Sequence, residues 1–183
     1  MNELKILSAA LFCFSFLQLS VASAETMSKS DYSAAQTRIS ANYALDKEAC
    51  NALAGNNKDI CVEQAKAKED VARAELEYKQ TGSSADHNKL LVIKAKSAYS
   101  VSKERCDDLS GNAKDVCIKE AQAVERKALA NVNMSKEIED AKKDAATEIV
   151  DADYKVAIEK CDALAGAAKS GCIEAAKNKF RKN

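Results

Sequence analysis

The sequence predicts an all-α protein of antiparallel helical hairpins, a coiled-coil-like bundle with three disulfide-clamped helix–turn–helix repeats. Three observations predict it. The 183 residues include no proline and no tryptophan, and 46% are apolar, much of that alanine. Such a chain favours long helices over loops and offers only a thin, closely spaced core. One motif recurs three times without a gap, and each copy carries two cysteines at the same offset.

The three copies start at Tyr43, Tyr99 and Tyr154 and follow the pattern Y-x6-C-[ND]-x-L-x-G-x2-K-x2-C-[VI]-x2-A. Leu53, Leu109 and Leu164 are equivalent, as are Lys58, Lys114 and Lys169, and Ala65, Ala121 and Ala176. Good helix formers precede Gly55, Gly111 and Gly166 in each copy. A glycine just past a helix end accepts the left-handed conformation that closes the last turn. Asn56-Asn57 and Asn112 then stand where they can cap the resuming helix, whereas the third copy has Ala167-Ala168. Each copy thus reads as an αα-hairpin with its tip near 50–61, 106–117 or 161–172.

Cysteines about one turn before and one turn after such a bend come within disulfide range. Six cysteines permit 15 pairings. The repeat favours the local ones, Cys50–Cys61, Cys106–Cys117 and Cys161–Cys172, because each copy carries its own pair. A zinc site would need closer cysteine spacing, and a redox pair would favour C-x-x-C at a helix start. Structural staples are the expected role.

The helices are expected over 27–54, 57–79 and 84–110 in antiparallel order. An apolar seam, Ile60, Gln64, Ala67, Val71, Ala74 and Tyr78, marks the second of them. Thr81-Gly82-Ser83-Ser84 breaks it, with Ser84 as candidate cap for the third. From Cys117 to Tyr154 there is no glycine, and a seam runs on through Ala121, Val124, Ala128, Ile138, Ala145, Ile149, Ala152 and Val156. Asn131, Ser135 and Lys142 are its polar members. The unbroken phase predicts one helix of about 50 residues, near 75 Å long. The alternative is a break within 131–135. A short helix from Ala167 to Lys182 ends the chain.

At the N-terminus, a polar start with Lys5 precedes an apolar run from Ile6 to Val21, which closes on Ala22-Ser23-Ala24. Small residues at that spacing are what signal peptidase reads. Residues 1–24 are therefore expected to be a signal peptide cleaved after Ala24, leaving 25–183 as a single helical repeat domain. The alternative is an uncleaved inner-membrane anchor. Export favours disulfides.

Twenty-eight basic residues balance 28 acidic ones. Dispersed neutral charge offers no long-range field for nucleic acid. The lone His87 reads as a solvated surface residue. Glu69/Arg73 and Glu139/Lys143 have the four-residue spacing of surface helix pairs. No phosphate loop, nucleophile elbow or zinc-protease motif is present. The expectation is no catalytic residue, no cofactor, no metal and no evident small-molecule substrate. Tyr43, Tyr99 and Tyr154 are expected to pack across their hairpins, with a docking stripe as the alternative.

The repeated C-[ND]-x-L-x-G-N-x-K-D-x-C of Cys50–Cys61 and Cys106–Cys117 resembles a group of uncharacterised exported Ala/Lys/Glu-rich helical proteins of β-proteobacteria. Some of these carry the label "cell envelope biogenesis protein TolA". The resemblance covers nearly the whole chain after residue 24 and implies a Gram-negative periplasm. The expected function is a non-catalytic envelope scaffold whose partner is another envelope protein, with self-association possible. The alternative is a periplasmic chaperone or stress protein holding unfolded clients.

Overall fold

Helix α1 (Lys29–Ala49) starts at Ser28, whose hydroxyl accepts from the Asp31 backbone N–H and donates to the Asp31 carboxylate. The computed structural model describes residues 27–182, so the expected signal peptide lies outside the described residues. After α1 come α2 (Gly55–Thr81), α3 (Ser84–Cys106), α4 (Gly111–Cys161) and α5 (Gly166–Phe180). The expected all-α fold of clamped hairpins is what these helices form.

Helix α2 ends at Gly82, whose N–H closes the last turn on the Tyr78 carbonyl at 2.8 Å. Helix α3 begins at Ser84, so its cap lies one residue before the expected one. Ser83, not Ser84, is the cap, because its hydroxyl is the one that accepts from the Asp86 N–H, at 3.0 Å. The Asp86 carboxylate accepts from Thr81 Oγ1 at 2.5 Å and Ser83 Oγ at 2.7 Å. These hydroxyls, Thr81 first, hold its carboxyl below the ordinary aspartate value of 3.8. A lowered folded-state value stabilises the fold above the unfolded-state value and is lost as pH falls through the folded one. A carboxyl titration by NMR is expected to find Asp86 below 3.8, and Thr81→Val to raise it.

Among the described residues each helix touches only its neighbours in sequence: α1 with α2, α2 with α3, α3 with α4, and α4 with α5. Buried residues are accordingly few and small. They are Ala65, Ala74, Leu76, Leu90, Ala95, Val132 and Ala176, with Cys50, Cys106 and Cys161. Ion pairs between Asp46 and Lys68, Glu77 and Lys89, and Glu75 and Lys94 line the seams around α2. His87 is exposed, and its ring lies 4.9 Å from that of Tyr78 across the Gly82 turn. Glu69 and Arg73 pair at 2.7 Å as expected; Glu139 and Lys143 do not pair.

Helix α4 is a single element of 51 residues with no break at 131–135. Its first part lies along α3 and its last part along α5. Between them every residue from 133 to 150 is exposed. No residue of that stretch is buried or half-buried by the other described residues.

Candidate functional site: the clamped tips

Three tips share one geometry. The first helix of each hairpin ends at or beside the first cysteine. The leucine N–H then bonds back to that cysteine's carbonyl: Leu53 to Cys50 at 3.1 Å, Leu109 to Cys106 at 3.0 Å, Leu164 to Cys161 at 3.0 Å. Ala54, Ser110 and Ala165 follow in extended conformation, with φ of −132°, −134° and −131°. Gly55, Gly111 and Gly166 come next with φ of +56°, +56° and +57°.

The left-handed glycines are therefore present but not where expected. They open the second helix of each hairpin instead of closing the first. The reason is local: a turn of helix is already closed by the leucine N–H, and the chain must reverse from extended to helical in one residue. Open space surrounds all three glycines, so a side chain there would meet backbone strain and no clash.

Asn56 also takes another role. No side chain caps α2, α4 or α5. Asn56 Nδ2 donates instead to the Glu104 carbonyl at 3.0 Å, tying the first tip to the end of α3. Because α2 and α3 are antiparallel, the first and second tips sit side by side. The third stands at the far end of α4, about 75 Å away at 1.5 Å per residue.

Cys50–Cys61, Cys106–Cys117 and Cys161–Cys172 are joined, with Cα atoms 5.6, 5.7 and 5.7 Å apart. The first sulfur of each pair is fully buried. Disulfides of this kind form and persist in oxidising compartments. The reactive alternative would need an accessible thiolate.

The repeat's fixed lysine gains an explanation that spacing alone did not supply. Lys114 Nζ lies 2.8 Å from Asp107 Oδ1, and Lys169 Nζ lies 2.9 Å from Asp162 Oδ1. Each pair bridges the two sides of its tip. The Asp107 hydrogen bond and charge raise the Lys114 pKa above its ordinary value. In the first copy the aspartate is Asn51, and no ion pair forms with Lys58. Asn51→Asp is expected to add the missing pair and to raise the thermal midpoint slightly, with no further gain in 1 M salt.

The tyrosines pack across their hairpins. Tyr43 lies beside Ala65 and Ala72 of α2. Tyr99 Oη accepts from Gln122 Nε2 of α4 at 3.5 Å. Tyr154 meets the Phe180 ring of α5 edge-on at 6.0 Å.

One member of the motif behaves unlike a core residue. Leu53, Leu109 and Leu164 are 45%, 43% and 44% exposed. Their near-identical exposure makes them a repeated apolar point at each tip. A second apolar feature is a groove of about 440 Å³ between α3 and α4, lined by Leu91, Ala95, Ala98, Tyr99, Val124 and Ala128 among others.

Among the described residues no three His, Cys, Asp or Glu side chains are grouped so as to hold a metal ion. No described helix is long and apolar enough to cross a membrane. Compared with protein-family models, curated proteins and solved structures, the chain matches none.

Proposed function

We propose that the protein is a non-catalytic scaffold of the Gram-negative cell envelope, exported to the periplasm, whose clamped tips dock another envelope protein. The observation that carries this reading is the repeated tip: a rigid, disulfide-closed turn that presents one leucine in the same setting three times. A clamp removes conformational freedom before binding, so less is lost on association. Single apolar anchors on rigid elements are common centres of protein contacts. The balanced charge of the chain fits a polypeptide partner better than nucleic acid.

Periplasmic cross-linking tests it. The wild-type protein is expected to give one reproducible adduct that Leu53→Asp/Leu109→Asp removes. These leucines lie outside the buried core, so the variant should keep its helical signal. Absence of any reproducible adduct from the wild-type protein would count against the scaffold reading, and a mature chain that does not begin at Glu25 would count against the cleaved export signal.

A second reading, a chaperone that holds unfolded clients, draws on the open apolar groove between α3 and α4. It requires suppression of client aggregation at near-stoichiometric ratios. A null result there leaves the scaffold alone.

A further inference from the structure

We infer that two copies of this chain pair antiparallel through α4, the bare segment of each lying in the α3/α4 groove of the other. Two otherwise unrelated features meet in this arrangement. One is a helical stretch, 133–150, in which every residue is exposed; the other is the apolar groove between α3 and α4. The inference is independent of the proposed docking of an envelope protein.

The apolar seam of α4 keeps strict alternating steps of three and four residues from Ala121 to Val156. That period is the one by which two helices wind on each other. The intrachain neighbours cover the seam only in part, α3 leaving Ala121 and Ala128 half-buried. Where α3 runs alongside, Val124 is still 66% exposed; where α5 runs alongside, Val156 is 54% exposed. In the bare stretch Ile138 and Ile149 are 48% and 63% exposed. On one flank of the seam Val132 is buried and Ile118 and Glu125 are half-buried, on the side that faces α3. A helix laid on the seam therefore also enters the groove beside α3.

Charge selects the occupant and its register. In a parallel pair Lys142 would stack on Lys142 of the partner subunit, and Glu148 would face the acidic Asp153 side of the other strand. Antiparallel pairing admits registers one heptad apart. With Ile138 opposite the partner's Lys142, Lys127 meets Lys155, Glu125 meets Asp153 and Glu139 meets itself. With Ile138 opposite the partner's Ile149, no charges pair, and Asn131 and Lys142 each face an apolar residue.

One register pairs like with like in every layer but the central two, where Ser135 meets Ile138. Set Val124 opposite the partner's Ile149. Then Ala128 meets Ala145, Ala121 meets Ala152, and the two polar members Asn131 and Lys142 meet each other. On the outer flank Lys127 faces Glu148 and Glu120 faces Lys155, twice each by symmetry, and all four are exposed in the single chain. Polar residues within such a seam commonly fix register. The same alignment puts residue 161 opposite residue 112, so the third tip of one copy comes beside the second tip of the other. Each end of the pair then carries three tips.

Sedimentation of the purified, oxidised protein over a concentration series, with charge-swap variants, tests the pairing. The wild-type protein is expected to reach twice the chain mass, and Ile149→Asp to remain single. Lys127→Glu or Glu148→Lys alone should weaken association roughly tenfold or more. Together they should restore it, because only this register faces 127 with 148. All these side chains are exposed in the single chain, and an unchanged helical signal verifies folding. A single-chain mass at every concentration to about 1 mM, a mass above two chains, or a double swap that fails to rescue would each overturn the inference.

Discussion

Replacing Cys161 and Cys172 together by serine is expected to release α5 from α4 while the first two hairpins stay folded. Closing a loop over a separation of 11 residues contributes about 3 kcal/mol by restricting the unfolded chain. Little else holds α5. It has 15 residues and buries only Ala176, and its remaining ties are the Tyr154–Phe180 contact and ion pairs of Lys182 with Asp151 and Lys169 with Asp162. Isolated helices of about this length are marginal in water. Far-UV circular dichroism should lose the signal of one short helix, and amides 166–180 should lose hydrogen-exchange protection. The same exchange at Cys106 and Cys117 is expected to cost a similar free energy without freeing a helix. There α3 is held on both sides, by α2 and α4. Unchanged protection of α5 in the first variant would show that packing alone suffices.

The second large effect is expected at the middle of α4. Lys142→Pro removes the bond from residue 142 to the Ile138 carbonyl and crowds that turn, at a cost of about 3 kcal/mol or more. Elsewhere neighbouring helices could hold the kinked segment in place. Here no described helix of the same chain does, since residues 133–150 are all exposed in the single chain. Protection of amides 133–150 should collapse, while amides beside α3 and α5 keep theirs. Loss of protection across the whole of α4 would mean that its two ends depend on each other through the rod.

The repeat made the disulfides legible before any coordinates, because three copies with one offset leave local pairing as the consistent choice. The long helix was legible too: an unbroken seam without glycine or proline leaves no place to turn. Helix ends were less so. Which of Ser83 and Ser84 caps α3 depends on where the Thr81 and Asp86 side chains gather, and adjacent serines look alike in sequence. The glycines were rightly read as left-handed but placed on the wrong side of the turn, because a bond from Leu53 to the Cys50 carbonyl had already ended the first helix. Asn56 looked like a cap and is a cross-hairpin tie to Glu104, a contact between residues 48 apart. Periodicity marked the α4 seam without saying what covers it. The equal exposure of Leu53, Leu109 and Leu164 was invisible for the same reason, since a fixed leucine reads as core until its surroundings are known.

The claim beneath all of this is that each hairpin is closed by its own disulfide. Lys58, Lys114 and Lys169 fall between the two cysteines of each pair, so trypsin separates all six cysteines onto different peptides. Mass spectrometry of the unreduced digest should find three linked species: Cys50 with Cys61, Cys106 with Cys117, and Cys161 with Cys172. A linkage between cysteines of different hairpins, or any of the six free in the purified protein, would contradict the account.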